Sequence, residues 1–520
     1  MKNNIYKSLA LAAISFSLFS CDDFLTHVQE GEPSQENFWK VEADAISAAN
    51  GLYFWTASEG ITGRGMMWYE NCSDDMVTGR PQSGAANIKN FIADYSRDVV
   101  DNWPTMYQLI KKCNDIIKNV PSMNISDKVK NETLGQAYFL RGWAYLWLAP
   151  YYGDNGDNGG IPIVTEKTSW KEIDQPRPAS VSENYKFCIA DFQKAAELLP
   201  FFKDWGVDQY GRPHKTAAWA YAAKAALYNA QYDPSYYKTV VTYCDSIIPY
   251  HDLLPKYSDV FRIENNWSPE YIWSWTSTET DGSKLPGVML ENKGWGLYNG
   301  WGYFMPTLEL YNEFEEGDTR REATILKPGD HFTFLGNNRL YYSTESASGM
   351  QFKKYMAPFE PKDAIGKTVN PSGDNMTTDL SIPLIRFSEV LLWKAEALIW
   401  QGKNGDEPLN RVRTRAGLKP KRNATKEDLK HERRCELAGE LTGRHLDLVR
   451  WGDAQEAYKK PLHGYKTTIA TDNNNNVTIK NVEVIQVWNA RNFNPTINHV
   501  MPIPQTEIDN SKNLKQNKGY

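Results

Sequence analysis

Cysteine is scarce in this 520-residue chain and poorly placed for cross-linking. Of six cysteines, Cys21 stands alone near the start; Cys72, Cys113, Cys188, Cys244 and Cys435 are odd in number, widely spaced and never form a Cys-x-x-Cys pair. That excludes a disulfide framework and a zinc knuckle. Beyond Cys21 no apolar run reaches the roughly 20 residues a membrane-spanning helix needs, so everything after it is expected to be soluble and tethered. Positive charge is not in excess either. With 58 Lys and Arg against 64 Asp and Glu, the formal charge is -6, and the broad positive field that nucleic-acid binding needs is missing.

Catalytic signatures are missing as well. His431-Glu432 begins like a zinc-protease helix, but the position four beyond His431 is Cys435, and the second histidine ligand is lost. There is no Gly-x-Ser-x-Gly elbow, Walker loop or dinucleotide fingerprint. Asp154-Asn155-Gly156-Asp157-Asn158-Gly159 has glycine where the calcium loop needs its second ligand, and no bidentate glutamate follows; it reads as a tight loop. No cofactor and no metal are therefore expected. The carboxylate spacing of a glycosidase is a property of the fold, so a surface glycosidase stays as an alternative.

What is present begins with the first 21 residues. Lys2 and Lys7 precede an apolar run from Leu9 to Phe19, and Leu18-Phe19-Ser20 leads into Cys21. This is a secretion signal, residues 1-20, followed by the lipidated cysteine of a bacterial lipoprotein. Several acyl chains on one residue give durable anchoring at about 0.8 kcal/mol per buried methylene. The aromatic balance is unusual, with 18 Trp and 29 Tyr against 20 Phe. Flat rings with a polar handle suit an apolar face that meets a wet ligand. Sugars are such ligands, because their C–H faces stack on rings while their hydroxyls seek amide and carboxylate partners.

Three segments alternate small and aromatic residues with helical period: Gln136 to Tyr151, Thr216 to Gln231 and Leu384 to Gln401. Trp103 to Val120, Ser182 to Leu199 and Pro408 to Ala416 flank them as second helices, and Tyr237 to Ile248 has no obvious mate. Such pairs, with small residues at the crossing, predict a mostly α fold of tetratricopeptide-like helix pairs. One domain is expected over 21-520, with helical scaffold at about 38-250 and 383-455. A loop-rich, mixed α/β insertion, about 251-382, carries the ligand site, because long tryptophan-bearing loops in a helical protein are usually functional. A closing segment fills 456-520, where Asp472 to Asn476 reads as a hairpin tip. The charges of 432-450 recur at offsets of three and four and predict arginine forks that orient the last helices.

Two segments combine exposed-looking rings with hydrogen-bonding groups. One holds Trp68, Tyr69, Asp74, Asp75 and Arg80; the other holds Trp295, Tyr298, Trp301 and Tyr303 among glycines. Glycine lets backbone approach a ligand closely and frees neighbouring rings from helical packing. Trp295 and Trp301 are the strongest candidates, and Asp74 and Arg80 the hydroxyl partners. Trp273 and Trp275 alternate as on a strand, which leaves Trp275 alone as a further candidate.

Several strings, in order along nearly the whole chain, resemble the SusD/RagB family: FLRGWAYLWLAPYYG with GGIPIV, GRPHKTAAWAYAAKAALY, PLIRFSEVLLWKAEAL, LNRVRTRAGL, ERRCELAGELTGRHLDLVRWG and MPIPQTEIDNSKNLKQNKGY. The resemblance implies a non-enzymatic nutrient-binding lipoprotein of the outer membrane, lipid-anchored at Cys21 on the cell surface. Asp22-Asp23 resemble the export signal of such surface lipoproteins. It implies a glycan ligand, held by an aromatic arc with carboxylate, amide and arginine groups nearby, and a partner SusC-like TonB-dependent porin. A peptide cargo, as in the RagB branch, is the alternative.

Overall fold

A computed structural model describes residues 38–57, 60–62, 64–92, 102–278, 289, 300–334, 336–343, 345–356, 369–370 and 377–520. The signal, Cys21, Trp295 and Tyr298 lie outside the described residues. The first half carries α1 (Glu42–Thr56), α2 (Asn102–Asn119), α3 (Asp127–Tyr152), α4 (Val181–Leu198), α5 (Lys215–Ala230) and α6 (Tyr236–Ile247). From α2 to α6 each helix packs on its successor. In α2 the buried positions Trp103, Met106, Leu109, Ile110, Cys113, Ile116 and Ile117 recur every three or four residues, the stripe that drives an amphipathic helix onto its neighbour. Small residues let α3 approach α4: a Cβ on Gly142 would lie 3.0 Å from the Phe192 ring. Helix α5 does the same with alanine, burying Ala217, Ala218, Ala220, Ala222, Ala223, Ala225 and Ala226.

Strand β2 (Tyr271–Trp275) runs into this frame and pairs antiparallel with β4 (Ile382–Arg386), with Ile382 opposite Trp275 and Arg386 opposite Tyr271. Trp273 meets Phe139, Trp143 and Tyr221 edge to face at 4.8, 5.9 and 5.6 Å. The expected helix from Leu384 is corrected here, since Leu384 to Arg386 belong to β4 and α7 begins at Phe387 (Phe387–Trp400). Helix α6, unmated in the sequence, packs on α5 and α7. The second half continues with α8 (Asp406–Arg415), α9 (Lys426–Leu437) and α10 (Arg444–Trp451); α7 packs on α8 and α9. Strands β5 (Leu462–Thr471) and β6 (Val477–Trp488) form a ribbon closed by the Asp472–Asn476 turn. No described helix is long and apolar enough to cross a membrane.

The charges of 432-450 form a buried network between elements. Arg386 donates to Glu440 at 2.7 and 2.8 Å, to Glu270 at 2.9 Å and to Glu436. Arg320 holds Asp318, Glu432 and Glu436 at 2.7, 2.6 and 3.1 Å, and Arg433 and Arg450 share Asp447. Burial would raise the Glu436 carboxyl, but Arg415, Arg386 and Arg320 outweigh it and hold the group at about 2. Forks of this kind tie β4, α9 and the start of the Thr319–Thr324 helix into one body.

Candidate functional site

Strand β1 (Met76–Thr78) pairs antiparallel with β3 (Phe304–Pro306), joining the two candidate segments across more than 220 residues of chain. Met76 faces Pro306, Val77 faces Met305 and Thr78 faces Phe304. The ladder continues one step past the strands, where Gly79 N–H donates to the Tyr303 carbonyl at 3.0 Å. Both backbones come so close here that a Cβ on Gly79 would lie 2.0 Å from the Gly302 carbonyl oxygen. Gly302 itself has φ +61°, a conformation that favours glycine. The two glycines thus serve strand approach.

Three expected site residues meet at the end of this ladder. Arg80 donates from Nε and Nη2 to the Trp301 carbonyl at 3.1 and 2.8 Å. Its guanidinium also lies 5.3 Å from the Tyr303 ring centroid, a cation–π contact that keeps arginine and phenol together. Trp301 and Tyr303 are edge to face at 6.3 Å; both are half-buried, and Arg80 is exposed. Chemically the cluster offers two ring systems beside a cation with guanidinium donors.

The other candidates are placed differently, and for a physical reason. Trp68 and Tyr69 are 2% and 4% exposed and belong to the core, where Tyr69 stacks on Tyr151 at 4.0 Å. This corrects their expected exposure. A segment rich in polar and glycine residues sinks into a protein only if its carbonyls find donors, and here they do. Lys89, fully buried, donates from Nζ to the carbonyls of Asn71, Ser73 and Met76 at 2.9, 3.0 and 2.8 Å. Arg491 donates to Lys89 and Ser73 at 3.0 and 3.2 Å. Burial and the neighbouring Arg491 push the Lys89 amine well below its ordinary value. Lys89 has no role in the sequence reading; locally it is only a lysine that follows the buried Ile88.

Asp74 is buried as well. It accepts from Arg444 Nε and Nη2 at 3.0 and 3.1 Å, with Arg434 at 3.1 Å. Burial would raise its carboxyl, but Arg434 and Arg444 hold it well below the carboxylate range. It lines a cleft of about 470 Å³ with Glu313, His431, Arg434 and Arg444. There Arg434 also holds Asp75 at 2.7 Å and Glu313 at 2.8 Å. Trp275 is 8% exposed on a strand buried along both faces; that corrects the expected exposed face. Among the described residues no group of three or more His, Cys, Asp or Glu is arranged to hold a metal ion.

Comparison with known proteins accounts for both halves of the chain. A sequence model of the SusD family matches residues 269–520, and one described as starch-binding, associating with the outer membrane, matches residues 34–227. The chain is 25% identical over 481 residues to SusD-like protein P25 of Formosa agariphila, covering 84% of this chain and 88% of that one. The fold matches the crystal structure of a SusD-like carbohydrate-binding protein from Bacteroides fragilis, with TM-score 0.76, 24% identity and coverage of 92% and 100% of the two chains. It also matches surface glycan-binding protein A from Bacteroides thetaiotaomicron in complex with laminarihexaose, with TM-score 0.69, 20% identity and the same coverage. Matched by SusD-family sequence models over both halves, the chain belongs to the SusD family.

Proposed function

We propose that the Arg80, Trp301 and Tyr303 cluster binds glycan, and that the protein captures oligosaccharide at the cell surface for a SusC-like TonB-dependent transporter. It is anchored through Cys21 and performs no catalysis. The observation that carries this reading is two half-buried rings locked beside an exposed arginine by a backbone ladder. A sugar presents apolar C–H faces and a rim of hydroxyls, which match ring faces and guanidinium N–H groups in turn. Preorganisation helps, since rings that are already fixed lose little rotamer freedom on binding. The reading is supported by the family description as starch-binding and outer-membrane associated, and by the laminarihexaose bound to a structural neighbour.

Calorimetry against a panel of soluble polysaccharides and hexasaccharides tests it. Trp301→Ala is expected to weaken binding by about 1–3 kcal/mol, the scale of a buried aromatic contact, without unfolding the protein. Unchanged affinity in that variant removes Trp301 from the site. Release of reducing ends from any bound glycan overturns the non-catalytic part, and failure to co-purify with an outer-membrane porin overturns the delivery part.

A further inference from the structure

The two strands that carry the Trp301 cluster are clamped at their far end by one helix. Arg434, on α9, donates from Nε to Asp75 at 2.7 Å and from Nη1 to Glu313 at 2.8 Å, and pairs with Asp74 at 3.1 Å. Asp74 and Asp75 immediately precede β1, and Glu313 ends the short helix Leu308–Glu313 that follows β3. Thr307 joins the two sides, donating from its N–H to the Asp75 carbonyl at 3.0 Å and from its hydroxyl to the Asp74 carbonyl at 2.9 Å. One guanidinium thus spans both flanks of the ladder at whose other end Arg80, Trp301 and Tyr303 meet.

One turn earlier on α9, His431 grips the same segment. Its Nδ1 lies 2.8 Å from Glu313 and its Nε2 lies 3.1 Å from Glu315. A neutral imidazole carries a single N–H and can donate to one carboxylate; only the imidazolium donates to both. The pair of carboxylates therefore selects the charged ring, and Glu313, helped by Glu432 and Glu315, holds it above the ordinary histidine value against burial. The charges around it are matched among themselves. Arg413 of α8 holds Glu315 at 2.6 and 2.8 Å, Arg320 holds Glu432 at 2.6 Å, Lys430 pairs with Asp453 at 2.6 Å, and Arg444 holds Asp74 at 3.0 Å. Glu427, Glu456 and Lys460 lie at the exposed mouth of the same cleft. Of these groups, the imidazole is the one that changes charge near neutral pH. Its hold is complete below its unfolded value and is lost as pH rises through the folded one, when the ring has to release Glu313 or Glu315.

We propose that Arg434 and His431 are positioning residues for the Trp301 cluster: Arg434 fixes β1 against β3, and His431, through its charge, sets how firmly the segment after β3 is held. Resting on the glycan reading of that cluster, this makes the protein hold glycan more tightly in mildly acidic than in alkaline water.

Fluorine NMR of the intact, fluorotryptophan-labelled protein, with the Trp301 resonance assigned by Trp301→Phe, reports the geometry without any ligand. Calorimetry with laminarihexaose and maltohexaose reports affinity. From about pH 6 to about pH 9, where a raised histidine gives up its proton, the Trp301 resonance is expected to move. Affinity should fall about fivefold over the same range, an ordinary coupling between sites. His431→Gln, which cannot ionise, should flatten both profiles. His463→Gln, which removes the imidazole 2.6 Å from Glu309 on the same short helix, should leave both in place. Arg434→Lys keeps the charge but cannot fork between Asp75 and Glu313, and it should displace the resonance and weaken binding at every pH. A resonance that ignores pH, or a profile that survives His431→Gln or vanishes with His463→Gln, overturns the role of His431. An Arg434→Lys protein with wild-type resonance and affinity overturns that of Arg434. A resonance that follows His431 while no glycan binds at any pH keeps the clamp and overturns the glycan reading of the cluster.

Discussion

Where α3 crosses α4 the contact is carbon on carbon: Gly142 lies under Phe192, and neighbouring Phe139 meets the same ring edge to face at 5.7 Å. Where β4 meets α9 the contact is charge on charge, with Arg386 among Glu270, Glu436 and Glu440. Both regions are buried, yet they fail in different ways. A packed contact degrades in proportion to the volume gained or lost, because neighbours relax in part. A buried ion-pair network has no such gradation, since removing one partner strands the others in a medium that cannot solvate them. The β1–β3 ladder hangs on polar contacts of the second kind, because Lys89 donates to the Met76 carbonyl of β1, Arg434 holds the preceding Asp75, and Thr307, just after β3, donates to the carbonyls of Asp74 and Asp75.

Arg386→Met is the most severe way to break the charged region. It removes a side chain 1% exposed and leaves three carboxylates with fewer partners, although Arg320, Arg415 and Lys354 remain on Glu436 and Glu440. The expected loss is about 3–5 kcal/mol of folding stability, read by urea denaturation. A loss under about 1 kcal/mol would mean that water reaches the carboxylates and the comparison with the packed region fails.

Glu70 sharpens the comparison at the seam between the regions. Its carboxylate accepts from the N–H groups of Gly443 and Arg444 at 2.5 and 3.0 Å, fastening the segment before β1 to the start of α10. Burial pushes the group up to about 7, against those two hydrogen bonds. A carboxyl whose folded value is raised contributes stability that is fully present below its unfolded value and lost as pH rises through the folded value. From the ordinary 4.5 to about 7, the wild type should thus lose roughly 3 kcal/mol of stability, at about 1.4 kcal/mol per unit. Glu70→Gln, which cannot ionise, should flatten that part of the profile. A profile unchanged by the substitution removes Glu70 as its source.

The same two regions explain what the sequence disclosed. Gln136 to Tyr151 falls within α3, and Thr216 to Gln231 matches α5 up to its last residue, because small residues at helical spacing report a close crossing, a local signal. The arginine forks were legible as a class, from charge density at offsets of three and four, but not by partner. Arg386 and Glu270 stand 116 residues apart. Burial of Trp68, Tyr69 and Asp74 was illegible for the same reason. The donors that let that segment sink include Arg491, 418 residues beyond Ser73, and no window of sequence contains both. Trp301, Tyr303 and Arg80 were legible singly, as rings and a cation near glycines. Their meeting depends on the register of β1 against β3, which only the fold supplies.

The smallest effect belongs to the packed region, and there two terms oppose each other. Gly142→Ala in α3 removes the conformational freedom of glycine in the unfolded chain, which favours the helix by about 1 kcal/mol. Against this, the new methyl sits 3.0 and 3.1 Å from Phe192 ring atoms and 3.3 Å from the Asp191 Cβ. Neither neighbour is free to give. Phe192 is fully buried, wedged against Phe139 and Tyr221, and Asp191 accepts from Arg141 at 2.7 Å through both oxygens. Overpacking of that kind costs about 1–3 kcal/mol, so the clash should win and leave a net loss of about 1 kcal/mol in urea denaturation. Glycan affinity at the Trp301 cluster should not change, since Arg80, Trp301 and Tyr303 sit at the end of the β1–β3 ladder and not on either helix. A net gain in stability would show that α3 and α4 can slide apart, and that this crossing is set by the helices' ends rather than by the glycine between them.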